Sequence, residues 1–151
     1  MNRINVKNAE KGQSLVEFSL GLVVMLLLVC GLLDLGRVYF TFVALEDGAG
    51  EAALYLSLNP QCVHATDGAA CANPNNAEYR ARNSGGQEVD WSKAQIKFDV
   101  PSAYGVGESV KVSVDYSYGL LTPIIPKLVG VNPIKITATA SQIIITETAK
   151  K

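Results

Sequence analysis

The chain has 151 residues, a net charge of −1 at pH 7 and 18% charged residues, which allows one modest domain beside a membrane segment. A near-neutral chain without a basic patch that carries interleaved aromatic residues argues against a nucleic-acid partner. One histidine excludes a metal site built from several histidines, and no nucleophile motif or phosphate-binding loop is present. The sequence therefore predicts no enzyme, no cofactor or metal, and no small-molecule substrate.

The first eleven residues are polar and carry three basic residues against one acid. Basic residues beside a membrane span stay on the cytoplasmic side. Several acidic residues lie beyond the apolar stretch that follows, where Arg37 is the opposing cation. This asymmetry predicts a single-pass protein of the cytoplasmic membrane, with its amino terminus inside and its carboxy-terminal domain outside the cytoplasm.

Residues 18–33 are almost entirely apolar. As a helix they would cover ~24 Å, slightly less than the ~30 Å of bilayer hydrocarbon. Apolar residues on either side would complete the crossing if Glu17 or Asp34 is neutralised by a partner. The stretch has no polar stripe at the helical period before Asp34, so it predicts a membrane helix rather than the core helix of a soluble domain.

A secretory signal peptide is the alternative to a retained span. Such a peptide has a shorter apolar core, which small residues at a cleavage site follow closely. Here Asp34-Leu35-Gly36-Arg37 follows the core, and the small residues 48–50 lie too far along the chain. The pattern favours a helix that is retained.

Glu17 is an unusual residue at the head of an apolar helix, because a charge at the helix centre costs ~2.5–3.5 kcal/mol and less near an end. One interpretation is an acid that reaches the membrane interface. The other is that the chain is cut after Gly12, so that Gln13 carries a new amino group one helical turn from Glu17. The residues alone leave both interpretations open.

A basic leader that ends in glycine, then Gly12-Gln13-Ser14-Leu15-Val16-Glu17-Phe18 and an apolar helix, resembles the class III signal of type IV prepilins and pseudopilins. With Asp34-Leu35-Gly36-Arg37, it resembles the TadE-like proteins of the tight-adherence (Flp) pilus system. The resemblance implies that a prepilin peptidase removes residues 1–12 and that Glu17 guides processing, subunit register or both. It also implies other pilins, pseudopilins and Tad assembly proteins as partners.

Beyond the span, helical spacing of apolar residues predicts that the helix continues to about Ser57. Asn59-Pro60 would end it. Asp34 and Arg37, three residues apart, would form an ion pair at the outer interface. Two glycines, at positions 48 and 50, indicate either close approach of another helix or a kinked stalk without a partner at that point.

Residues 58–93 are rich in turn-forming residues. Cys62 and Cys71 enclose a short loop, and outside the cytoplasm they are predicted to form a disulfide. Cys62, His64 and Cys71 lack a fourth ligand at a zinc-site spacing, so His64 is interpreted as a solvated loop residue. Residues 77–82 can form a short helical turn.

From residue 94 onward the apolar period changes from helical to two-fold, which predicts strands with one sheltered face. The strands are expected at residues 95–100, 110–118 and 134–141. Residues 104–107 would form a hairpin loop. Residues 120–130 would form an apolar, proline-containing connection that buries against the sheet, the membrane or another subunit.

The expected fold class is α+β, a long amino-terminal transmembrane and stalk helix followed by a small antiparallel sheet outside the cytoplasm. The units are a leader (1–12), the helix (13–57), a loop-rich region (58–93) and the sheet domain (94–151). The predicted function is that of a minor pseudopilin-like protein that supports assembly of a Tad/Flp pilus or a related secretion apparatus. The alternative is an uncleaved single-span protein whose sheet domain binds a ligand or an extracellular partner.

Overall fold

A computed structural model describes residues 6–120, 127, 130 and 133–146, with side chains from Gly12 onward. The elements are helix α1 (Val6–Leu58), a 3-10 turn (Ala69–Cys71), helix α2 (Ala77–Ser84) and strands β1 (Gln95–Asp99), β2 (Ser109–Tyr118) and β3 (Ile134–Ile143). The predicted α+β fold, a long apolar helix followed by a small antiparallel sheet, is confirmed. Most of the predicted connection at 120–130, and leader residues 1–5, lie outside the described residues.

Helix α1 is continuous but passes through two environments. Its amino-terminal part, residues 12–33, contains no buried residue, and we call it the exposed arm. From Asp34 onward, buried residues recur every three, four or seven positions along one face. The residues of this buried stripe include Asp34, Thr41, Leu45, Ala49, Ala52 and Leu56. The helix ends at Leu58 because the residue before Pro60 is disfavoured in helical conformation.

The three strands form an antiparallel sheet in the order β1-β2-β3. In its register Phe98 lies opposite Val112, which lies opposite Ala140. Strand alternation places apolar side chains on the face that packs against α1, where Val110, Val112 and Val114 are completely buried. The core thus lies between the sheet and the second half of α1, and the exposed arm extends beyond it.

Helix α2 is fixed by the buried amide of Asn76 at its amino terminus. Asn76 Oδ1 accepts a hydrogen bond from the backbone N–H of Tyr79 at 2.8 Å, which satisfies a donor of the first helical turn. Its Nδ2 donates to the carbonyl oxygen of Cys71 at 3.1 Å and to Asn73 Oδ1 at 2.6 Å. Because Cys71 is joined to Cys62 by a disulfide, this one side chain links α2 to the crosslinked loop.

The helices α1 and α2 approach closely around the indole of Trp91. A Cβ atom added to Gly48 would lie 2.6 Å from Trp91 Cη2 and 2.7 Å from the carbonyl oxygen of Ala81. A Cβ on Gly85 would be closer still to Trp91 and would also meet the carbonyl oxygen of Ala44. Around Gly50, by contrast, nothing lies within 4 Å. Of the glycines at positions 48 and 50, only Gly48 allows close helix packing. The helix that packs there is α2 of the same chain.

We expect G48A to destabilise the folded domain by about 1–3 kcal/mol, because the new methyl group overlaps the indole and a backbone oxygen that cannot move independently. The measurement is thermal unfolding of the detergent-solubilised full chain, followed by the fluorescence of its single tryptophan. G50A is the matched control, since it adds the same methyl group to the same helix in open space. It should leave stability unchanged or raise it by up to about 1 kcal/mol. Equal midpoints for the two variants would contradict this packing.

Candidate functional site

The exposed arm has the dimensions of a membrane span. At ~1.5 Å per residue, residues 12–33 are about 33 Å long, against ~30 Å of bilayer hydrocarbon. Among the described residues there is one helix long and apolar enough to cross a membrane, and its most apolar part is not buried by the rest of the protein. Within the described residues, positions 12–29 of the arm are exposed, and Cys30 and Gly31 are half-buried where the arm meets the domain. Nearly the whole arm is therefore available to lipid or to neighbouring helices.

Gly12, Gln13 and Glu17 lie at the amino-terminal end of this arm and are all exposed. Gln13 Nε2 donates a hydrogen bond to Glu17 Oε1 at 3.2 Å, so the two side chains share one face of α1, a helical turn apart. An amino group created at Gln13 would be within one turn of the Glu17 carboxylate. The Gln13 and Glu17 side chains thus contact each other within one subunit.

Asp34 and Arg37, the predicted ion pair, differ strongly in their environment. Asp34 is only 4% exposed and has an interaction of its own, whereas Arg37 is exposed. Among the salt bridges formed within the described parts of the chain, none joins these two residues. Asp34 begins the buried stripe, and Arg37 lines a neighbouring cleft.

This cleft has a volume of about 440 Å³ and lies where the exposed arm meets the domain. Its walls are formed by Arg37, Phe40, Thr41, Glu88 and Tyr118. The hydroxyl group of Thr41 donates to the carbonyl oxygen of Arg37 at 2.9 Å. We call the cleft lined by these five residues the boundary cleft. Glu88 and Tyr118 were not predicted at this site, because no local sequence pattern indicates that they approach the helix.

The disulfide loop carries a polar network centred on Glu78. This carboxylate contacts His64 Nδ1 at 2.8 Å and Arg82 at 2.9 Å. The hydrogen bond from His64 and the interaction with Arg82 lower the pKa of Glu78, although burial opposes the shift. His64 is exposed, as expected of a loop residue, but its ring also packs edge-on against Phe98 at 5.5 Å between centroids. The network holds the loop against α2 and β1.

Because Cys62 and Cys71 form the disulfide, they cannot act together with His64 as metal ligands. Within the part of the chain that the structure describes, no group of three or more His, Cys, Asp or Glu side chains is placed to hold a metal ion.

The outward face of the sheet contains a charged cluster at its centre. Asp115 accepts hydrogen bonds from Lys97 at 2.7 Å and from the hydroxyl of Thr137 at 2.7 Å, and Lys135 lies 3.6 Å away. These partners, led by Lys97, lower the pKa of Asp115 to about 2. The cluster ties all three strands together on the side opposite the core.

The TadE-like protein family model matches residues 12–54 of the chain. The match covers the exposed arm and most of the buried stripe, and it ends four residues before α1 does. No curated protein and no solved structure matches the chain. The likeness therefore rests on the helix, and the sheet domain lies outside the matched region.

We expect D115N to destabilise the domain by about 1 kcal/mol at pH 7, since the amide loses its charge-assisted bonds to Lys97 and Lys135. Because the folded-state pKa is lowered, this stabilisation is fully present above the unfolded-state pKa near 4 and is lost as pH falls toward 2. Thermal unfolding at pH 7, 4 and 2.5 should therefore show a difference between wild type and variant that shrinks with acidification.

E108Q is the control for this measurement, because Glu108 lies in an exposed loop outside the cluster. Its midpoint should follow the wild type at all three pH values. A wild-type advantage over D115N that is the same at pH 7 and pH 2.5 would contradict the electrostatic origin.

Proposed function

We propose, for a chain whose residues 12–54 are TadE-like, the role of a minor pseudopilin-like membrane protein that supports assembly of a Tad/Flp pilus or a related secretion apparatus. The observation that carries the proposal is the coincidence of the family match with a helix whose first part is unburied and long enough to span a bilayer. The protein is held in the cytoplasmic membrane, with its amino terminus inside and the sheet domain outside. It is a component of that apparatus and a substrate of a prepilin peptidase rather than an enzyme.

The first step in this role is removal of residues 1–12 by a prepilin peptidase. Gly12-Gln13 lies at the start of the exposed arm, where a membrane-embedded peptidase can reach the bond at the cytoplasmic face. Cleavage leaves a mature chain that begins almost directly with apolar helix. It also creates a cation at Gln13, on the face of α1 that carries Glu17.

Glu17 then acts in lateral contacts between subunits. A carboxylate among apolar side chains is stabilised when a cation neutralises it, and its cost rises with depth in the hydrocarbon. The new amino group of the same subunit or of a neighbour provides that cation. Because the pairing is short-ranged, it fixes the axial register at which two such helices pack.

The surface for these contacts is the exposed arm and not the stalk. The small residues of the buried stripe, including Ala49, Ala52 and Ala53, pack inside the protein's own core. They are therefore unavailable to a helix from another subunit. Other pilins, pseudopilins and Tad assembly proteins are left with the arm and with the outer surfaces of the domain.

The alternative is an uncleaved single-span protein whose sheet domain captures a ligand or extracellular partner. One observation favours it: the sheet domain lies outside the family match, so its role is not set by the likeness of the helix. In that case α1 is only an anchor, and neither the leader nor Glu17 matters to activity.

We expect the mature protein to begin at Gln13 when the full chain is expressed in membranes together with its prepilin peptidase. Intact-mass measurement of the purified protein tests this, because loss of residues 1–12 is a single defined mass change. Co-expression with a peptidase that lacks its catalytic aspartates is the control and should leave Met1 in place. A functional protein that retains its leader would refute the processing step and favour the uncleaved alternative.

We expect E17A to reduce pilus output at least about tenfold, the effect of losing a neutralised ion pair worth ~1.4 kcal/mol or more. The amount of protein in the membrane fraction should not fall, since removal of a charge makes insertion easier. E46A is the matched control, because Glu46 is an exposed acid of the same helix beyond the arm. Unchanged pilus output in E17A would support the interpretation of Glu17 as an interfacial acid without a role in assembly.

A further inference from the structure

In a membrane that contains the exposed arm, the boundary cleft begins at the depth of the lipid headgroups. With residues 12–33 in the hydrocarbon, Arg37 is one helical turn, about 6 Å, beyond the last residue of the arm. The headgroup region on each side of a bilayer is about 5–7 Å thick. Tyr39 and Phe40, which are 62% and 66% exposed, follow about 3–5 Å farther along the helix axis. Their side chains tilt back toward the amino terminus of α1, which is the direction of the membrane interface that aromatic residues favour. In an inserted chain, the Arg37 end of the cleft is therefore next to the lipid headgroups.

Two opposite charges line this cleft. Arg37 brings a guanidinium group from α1, and Glu88 brings a carboxylate from the segment before β1. No salt bridge joins the two within the described residues. A guanidinium is suited to a phosphate group and a carboxylate to an ammonium group that can donate hydrogen bonds. The charge pattern of the cleft is thus complementary to a zwitterion.

We propose that the boundary cleft binds the headgroup of a phospholipid that carries both a phosphate and a primary ammonium group. The phosphate pairs with Arg37 and the ammonium donates to Glu88, while the acyl chains lie along the exposed arm. A cleft of about 440 Å³ is within the size range of small-ligand sites. The proposal rests on insertion of α1 into a membrane, and neither leader removal nor pilus assembly is required for it.

The carboxylate determines which lipid is preferred. A headgroup with a net negative charge and no ammonium group offers no cation to the Glu88 carboxylate. A quaternary ammonium has no N–H with which to donate to that carboxylate. Lipids of both kinds can pair their phosphate with Arg37 but lack the hydrogen bond to Glu88. Arg37 therefore provides affinity for any phospholipid, and Glu88 provides the discrimination among headgroups.

The test uses the full chain in nanodiscs that contain equal amounts of phosphatidylethanolamine, phosphatidylcholine and phosphatidylglycerol. After transfer into mild detergent, native mass spectrometry counts the lipids retained by the protein. We expect retention of phosphatidylethanolamine about tenfold above each of the other two, because one charge-assisted hydrogen bond is worth about that factor. Equal retention of the three lipids would overturn the proposal.

Two charge-neutral variants separate the two contacts. R37Q should lower retention of all three lipids, whereas E88Q should reduce the preference for phosphatidylethanolamine over phosphatidylcholine to about one. K111Q and E46Q are the matched controls, because both side chains are exposed and outside the cleft, and they should retain the wild-type pattern. Thermal unfolding of each variant verifies that the domain is intact. A preference that persists in E88Q, or a second copy of the chain bound in place of lipid, would refute the assignment.

Discussion

The structure depends on the contact between one face of α1 and the core beneath the sheet. One continuous helix is unburied over residues 12–33 and is then covered, on its small-residue face, by the sheet and α2. The close approach of α2 at Gly48 requires the absence of a side chain, and apolar burial at Leu45 and Leu56 stabilises the packing. Without this contact the sheet would have only its own three strands, which are insufficient for a stable domain without a covered apolar face.

The same contact determines which surface of α1 remains accessible to other molecules. A stripe of small residues in a membrane-proximal helix usually indicates association with another helix, and here the stripe is occupied within the chain. The part of α1 that the domain leaves uncovered is the exposed arm, which carries Glu17 among apolar side chains. The domain in turn is held rigidly at the end of the span, because its core and α1 share the same buried residues.

Local periodicity in the sequence predicted the elements closely. The expected strands at 95–100, 110–118 and 134–141 correspond to β1, β2 and β3 to within two residues at each end, because alternation is a local signal. The Asp115 cluster and the boundary cleft were not predicted, since each joins residues from separate elements whose register and packing no local pattern specifies. The sequence also left two interpretations open for Gly48, and the choice depended on Trp91, which lies far along the chain.

The distance between Glu17 and Arg37 relates the two ends of the arm. Twenty residues of α1 separate them, or about 30 Å, which equals the thickness of the hydrocarbon. When Arg37 is in the outer headgroups, about 6 Å beyond the hydrocarbon, Glu17 lies within about 6 Å of the inner boundary, where a carboxylate costs less than at the bilayer centre. Insertion of one subunit therefore does not require Glu17 to be neutralised. Under the proposed role, the cation at Gln13 is needed where neighbouring helices exclude water from Glu17, that is, in lateral packing and not in membrane anchoring.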